Sequence, residues 1–354
     1  ACIIAAVSYA FFHFYSDAIA QFLPGQITGN EVYLLGASLA LGGLINVPLA
    51  WIRITARASL FFKVTIAKVI IQVSLSYYWL VAGWGISSIL ASGAVSALVV
   101  ALYLSVMQLK ETGFHFSSKN VVSIANYGWP ILIGGVATFA LSGLDRWLLA
   151  KYFGEQDIAV YAIAIKFALV PTLLIQPFTL WWYPKRFSVL KEENGLSDNA
   201  KFAMLGVTIC ALICGFLGLV GPTAIRWLTP IEYHQAANIL PWLLLCTLLK
   251  LVSELLNLGC YIDKDSHTQM HINIMASIAG VVMLVILIPT FHIDGAIAGL
   301  IVAYSIRMSL FYFYSQRRLY LPYKFGFLFS AVSGAVVATY AGQIIEVTAW
   351  FGLL

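Results

Sequence analysis

The chain has 354 residues, of which 61% are hydrophobic and 10% charged, with a formal net charge of +5. A water-soluble domain carries roughly 25% charged residues, so this composition excludes a soluble fold of this length and makes lipid the outer solvent. The net charge is modest, and where the charges fall says more than their sum.

A membrane-crossing helix needs about 20 mostly apolar residues, and the apolar pattern predicts about eleven of them. The first, 1–22, begins at once with Ala1-Cys2-Ile3-Ile4, without Met and without a signal-peptide cleavage pattern. A fragment lacking earlier helices is therefore expected. Spans at 32–51, 58–80 and 86–108 follow, then 127–150, where Tyr127-Gly128-Trp129-Pro130 places a proline in the expected first turn. The next span, 157–182, contains Pro171 and Pro177 and should kink there, with neighbouring helices satisfying the freed carbonyls. Spans at 203–222, 237–261, 270–289, 295–315 and 326–345 complete the set. The five cysteines all lie in apolar stretches, form no CxxC pair and read as packing residues.

With the N-terminus cytoplasmic, the cytoplasmic connections hold Arg53, Arg57, Lys110, Lys119, Lys185, Arg186, Lys191, Lys201, Lys264, Arg317, Arg318 and Lys324. The opposite side holds only Lys151 and Arg226. This is a strong positive-inside pattern. Trp181-Trp182-Tyr183 and the aromatic stretch Tyr77–Trp84 stand where interfacial anchors are expected.

Six cations fall inside spans: Lys63, Lys68, Arg146, Lys166, Lys250 and Arg307. Three acids do so: Asp17, Asp145 and Glu254. An ion at the bilayer centre costs about 2.5–3.5 kcal/mol on insertion scales, so each must pair, snorkel or face water. Lys63 is near enough to a helix end to snorkel. Lys250 and Glu254 share a helical face four residues apart and suit a neutralising pair. Asp145, Arg146 and Lys166 lie at comparable depth on adjacent helices and suit one cluster. The cation surplus points to a watery passage for an anion, and Arg and Lys make phosphate the natural choice. Phosphate-binding loops, dinucleotide fingerprints and zinc motifs are missing from the sequence, so no cofactor, no metal and no ATP-hydrolysing engine is expected. His267 and His271 read as a surface pair.

From about 120 to 318 the sequence resembles the polysaccharide-transporter family: the O-antigen and lipid-linked oligosaccharide flippases of the multidrug/oligosaccharidyl-lipid/polysaccharide exporter superfamily. The first stretch runs from Tyr127-Gly128-Trp129-Pro130 through Leu144-Asp145-Arg146-Trp147-Leu148-Leu149, Gly154, Ala159-Val160-Tyr161, Ile165-Lys166, Gln176-Pro177-Phe178, Trp181 and Pro184. The second is Leu240-Pro241-Trp242-Leu243 with Gly259, and the third is Ile288-Pro289 with Gly295-Ala296-Ile297-Ala298-Gly299, ending at Arg317-Arg318. Residues 1–110 resemble the family only in hydropathy and in the basic connection Arg53–Arg57.

The resemblance implies an all-α, polytopic transmembrane protein of two helical lobes around a central cavity. Residues 1–118 would be the remainder of the N-terminal lobe, and 119–354 the C-terminal lobe with extra helices. It implies a multi-pass protein of the bacterial inner membrane, not an enzyme, that flips a polyprenyl-pyrophosphate-linked oligosaccharide for O-antigen or other polysaccharide synthesis. The lipid-linked oligosaccharide, the bilayer and polymerase or ligase machinery would be its partners, and nucleic acid would not. Arg146, Lys166, Lys250, Lys68 and Arg307 are the expected pyrophosphate and cavity contacts, with Asp145 and Glu254 orienting or coupling. The alternatives are a multidrug exporter of the same superfamily, a membrane polymerase or ligase, and another secondary transporter for small anions.

Overall fold

The computed structural model describes residues 2–22, 28–55, 57–113, 118–153, 155–264, 266–324, 326 and 333–334. Side chains are not described at several of these, Lys119 and Lys264 among them. Gly154 and most of the predicted span 326–345 lie outside the described residues. Among the described residues every regular element is helical. Among the described residues eight helices are long and apolar enough to cross a membrane, and the chain is a multi-pass membrane protein. It divides into two compact units, Ala1–Phe116 and Ser117–Leu354.

The first unit holds α1 (Cys2–Phe22), α2 (Gly29–Ile54), α3 (Ala58–Val81) and α4 (Ile86–Thr112). A capping box starts α2: the Thr28 amide donates to Glu31, and the Glu31 amide donates to the Thr28 hydroxyl. Helices in lipid gain no hydrophobic drive from meeting one another, so small residues that admit close approach set the contacts. Gly36 is such a place, since a Cβ there would stand 2.1 Å from Cγ of Phe12 on α1. On α4, Ser88, Ser92 and Ser96 are buried at four-residue spacing. Ser88, Ser92 and Ser96 each donate back to a carbonyl three residues earlier, and Ser92 also meets Ser76 of α3 at 2.6 Å.

The second unit holds α5 (Ser118–Tyr152), α6 (Glu155–Ala168), α7 (Val170–Val189), α8 (Gly195–Leu228), α9 (Ala236–Leu255) and α10 (His267–Arg318), with short 3-10 turns at Ile231–Tyr233 and Leu258–Lys264. The predicted span 157–182 is the pair α6 and α7, broken at Leu169 just before Pro171. Proline has no N–H to continue the ladder. At the break the Thr247 hydroxyl of α9 lies 3.0 Å from the Ala168 carbonyl and the same distance from Leu243 O, so a neighbouring helix serves the interrupted end. Pro130 falls well inside α5 and not in its first turn, because α5 starts at Ser118. Carbonyls around it also find donors from another helix: Ser266 Oγ donates to Tyr127 O at 2.7 Å, and Gln269 Nε2 to Pro130 O at 3.5 Å.

The two predicted spans 270–289 and 295–315 are the arms of α10, which turns at His292 with φ 54°. Positive φ is costly for a residue with a side chain, and the His292 ring stacks on Phe153 with centroids 3.9 Å apart. The arms run antiparallel. A Cβ on Gly295 would meet Leu287 O at 2.3 Å, one on Gly299 would meet Leu284 Cδ2 at 2.9 Å, and one on Gly280 would meet the Ala303 methyl at 2.7 Å. Glycine is what allows the arms this close. The sequence pattern Ile288-Pro289 … Gly295-Ala296 … Gly299 is thus the tip of a helical hairpin.

Among the described residues two large apolar cores, and a small third of Cys260, Ile272 and Phe311, hold the unit. One joins Leu141 and Leu149 of α5, Tyr161 of α6, Leu240 and Leu244 of α9, and Leu284 and Leu300 of α10. The other joins Ile175 of α7, Val207, Cys210 and Cys214 of α8, and Leu251 and Leu255 of α9.

Candidate functional site

The hairpin register decides the main polar feature. On the first arm of α10, Gln269 and Asn273 lie on one face, four residues apart, and Asn273 Nδ2 donates to Gln269 Oε1 at 2.7 Å. A Cβ on Gly134 would stand 3.2 Å from both side-chain amides, so its absence makes room for them against α5. On the returning arm, Arg307 faces the pair. Its Nε donates to Asn273 Oδ1 at 2.9 Å and its Nη1 to Ser253 Oγ of α9 at 2.7 Å. Glu254 Oε1 lies 3.6 Å from Nη1, and the ring of Phe311 lies beneath the guanidinium at 5.2 Å. Arg307 is only 7% exposed. A buried polar line therefore runs from the Pro130 carbonyl through Gln269, Asn273 and Arg307 to Ser253 and Glu254, joining α5, both arms of α10 and α9.

Glu254 thus meets Arg307 and not its helix neighbour Lys250, whose carbonyl accepts the Ser253 hydroxyl at 2.6 Å. Lys250 itself is half-buried on α9. Asp145 is 2% exposed. One oxygen accepts from Tyr161 Oη at 2.6 Å and the other from the Arg146 amide at 2.7 Å. Asp145 therefore turns into the core while the side chains of Arg146 and Lys166 stand on exposed faces of α5 and α6. Lys68 is half-buried on α3 in the other unit. Among the described residues, no carboxylate lies within ion-pairing distance of Lys68, Arg146, Lys166 or Lys250, and no group of three or more His, Cys, Asp or Glu could hold a metal ion.

Several polar residues of the unit escaped the reading by charge. Gln269, Asn273 and Ser253 carry no charge, although two amides at four-residue spacing in an apolar helix are a legible sign of a buried network. Tyr161, which stands in the sequence as part of the Ala159-Val160-Tyr161 motif, is the donor to Asp145. Arg186, read as a loop cation, is a buried residue of α7. Three residues of chain separate it from Trp182, which gave no reason to draw it inward; the partner that does so, Asn257, is distant in sequence.

Comparison with known proteins agrees with this architecture. Residues 1–195 match the family model described as "Polysaccharide biosynthesis protein". A protein of the Lsg locus of Haemophilus influenzae is 26% identical over 159 residues, covering 43% of this chain and 40% of that protein. The succinoglycan biosynthesis transport protein ExoT of Rhizobium meliloti is 24% identical over 137 residues, covering 39% of this chain and 28% of ExoT. The matched segments thus span well under half the length of these relatives. In fold, the chain is similar to a crystal structure of a MATE mutant, with a TM-score of 0.73 at 13% identity, covering 90% of this chain and 76% of the other. MATE in the straight conformation gives 0.71 at 14% identity with the same coverage. With a family model matching more than half of its residues, the chain belongs to the polysaccharide biosynthesis protein family, in a membrane fold shared with MATE transporters.

Proposed function

We propose that the chain belongs to an exporter that carries a polyprenyl-pyrophosphate-linked oligosaccharide from the cytoplasmic to the outer leaflet of a bacterial inner membrane, by alternating access. The observation that carries this reading is the set of cations in spanning helices with no carboxylate partner among the described residues: Lys68, Arg146, Lys166 and Lys250. Held in a membrane, such charges are tolerated where water or an anion meets them. Arg307 adds a guanidinium held mainly by neutral amide and hydroxyl groups, with one carboxylate at 3.6 Å. Anionic pyrophosphate suits all of them. Membership of a polysaccharide biosynthesis family and the transport role in the name of ExoT support the same substrate class and favour a transporter over an enzyme. Asp145 and Glu254 are the groups available for orientation or coupling, and polymerase or ligase machinery would receive the flipped unit.

An inside-negative potential favours outward movement of an anion by about 2.3 kcal/mol per charge per 100 mV, which makes ATP unnecessary. The test is translocation of a fluorescent lipid-linked oligosaccharide in vesicles containing the full-length protein, with and without a potential. Transport should fall at least tenfold in Arg146→Ala with Lys166→Ala, and slow when the potential is collapsed. Undiminished transport in the double variant removes these residues from the path. Transport of cationic drugs in place of the glycolipid makes the protein a multidrug exporter.

A further inference from the structure

The cytoplasm-proximal end of α7, by the positive-inside pattern, carries a second polar feature, centred on Arg186. Arg186 is 8% exposed. Its Nη1 donates to Asn257 Oδ1 at 2.9 Å, at the start of the 3-10 turn that follows α9. Three rings surround the guanidinium carbon: Tyr183 at 4.9 Å, Phe187 at 5.1 Å and Tyr261 at 5.3 Å. Rings of this kind stabilise a guanidinium through its faces and leave its edge N–H groups to other partners. Its Nε is buried and has no hydrogen-bond partner. Among the described residues no carboxylate stands within ion-pairing distance of Arg186. The site is also fixed in place: Gly259, two residues beyond Asn257, is held by an N–H donated to Ser315 Oγ at 2.9 Å, and a Cβ there would collide with Ser315 O at 2.2 Å.

A guanidinium clamped by rings and one neutral amide, with a buried donor unused, is half of a charge-assisted pair. We infer that Arg186, Asn257 and Tyr261 form a phosphate-binding subsite at the end of α7, distinct from the Arg307 network. The planar fork of arginine matches the oxygens of a phosphate monoester or diester. Lys185, exposed beside it and 4.8 Å over the Trp181 ring, adds a flexible second cation at the rim. The phosphate can belong to a prenyl-pyrophosphate lipid, to a phospholipid headgroup or to free phosphate, and the subsite holds whether or not the chain proves to be an oligosaccharide exporter.

The test is equilibrium binding to the full-length protein in nanodiscs of neutral lipid. The probes are geranyl pyrophosphate, dihexanoyl phosphatidylglycerol and inorganic phosphate. At least one should bind to the wild type, and Arg186→Met should weaken it tenfold or more. Arg186→Lys should keep part of the affinity, through charge without the fork. Preference for geranyl pyrophosphate assigns the subsite to a prenyl-pyrophosphate lipid, preference for phosphatidylglycerol to a phospholipid headgroup, and equal binding of inorganic phosphate to a free anion; each supports the subsite. Equal binding by Arg186→Met and the wild type overturns it. Should Arg186→Met fail to fold, unchanged affinity in Arg186→Lys does the same. Phosphate binding through Arg186 without glycolipid transport would sink the proposed function and leave the subsite standing.

Discussion

Arg307 Nε donates to Asn273 Oδ1 at 2.9 Å across 34 residues of chain, and that one bond ties the two arms of α10 to each other deep in the second unit. Arg307 reaches α9 at the same time through Ser253. A buried donor or acceptor left unsatisfied costs about 1–3 kcal/mol, and more where a charge is involved. Asn273→Leu should therefore lower stability in detergent by roughly that amount. A double-mutant cycle with Arg307→Met, followed by thermal unfolding, should return a coupling energy of about 0.5–3 kcal/mol. Additive losses would mean that the two side chains act separately.

Asp145 depends on Tyr161 in the same way. Removing the hydroxyl as Tyr161→Phe strips one of the two hydrogen bonds that the carboxyl accepts and should cost about 1–3 kcal/mol. In an Asp145→Leu background the same change should cost clearly less, since no carboxyl is left orphaned. Equal losses in both backgrounds would place the role of Tyr161 in packing alone.

The hairpin of α10 needs glycine where its arms touch. Gly295→Ala drives a methyl to 2.3 Å from Leu287 O, a backbone atom that cannot swing away. The expected loss is about 1–3 kcal/mol or more, with reduced yield of folded protein by size-exclusion chromatography. Gly135→Ala, on α5, meets nothing within 4 Å and should leave yield unchanged or improved, since Gly is a poor helix former.

Thr247 is a smaller case. Its hydroxyl serves the interrupted helix end at Ala168. Polar contacts between membrane helices average about 0.6 kcal/mol in double-mutant cycles, so Thr247→Val should lower stability by about that much. Thr247→Ser, which keeps the hydroxyl, should retain most of that stability, and the pair of stability measurements in detergent checks it.

The bilayer nature of the chain, its division into spans and the break before Pro171 are local properties, and local sequence determined them, although α7 continues through Pro177, where the sequence also suggests an interruption. About 20 apolar residues cross a membrane whichever partners they find, a proline removes its hydrogen bond wherever it stands, and the cation surplus within spans is read by counting. Helix ends were less legible: Pro130 looks like a first-turn residue until α5 is seen to start a full twelve residues earlier, at Ser118. Partnerships were decided by tertiary structure. Glu254 stands four residues from Lys250 and meets Arg307 of another helix; Asp145 adjoins Arg146 and turns to Tyr161 of α6; Arg186 follows the run Trp181-Trp182-Tyr183, expected as an interfacial anchor although Trp182 is buried, and is itself buried against Asn257. The physical reason is common to the three. A charge in lipid takes the partner that geometry brings within hydrogen-bond reach, and helix rotation and hairpin register set that geometry, neither of which is written in the spacing of residues along one helix.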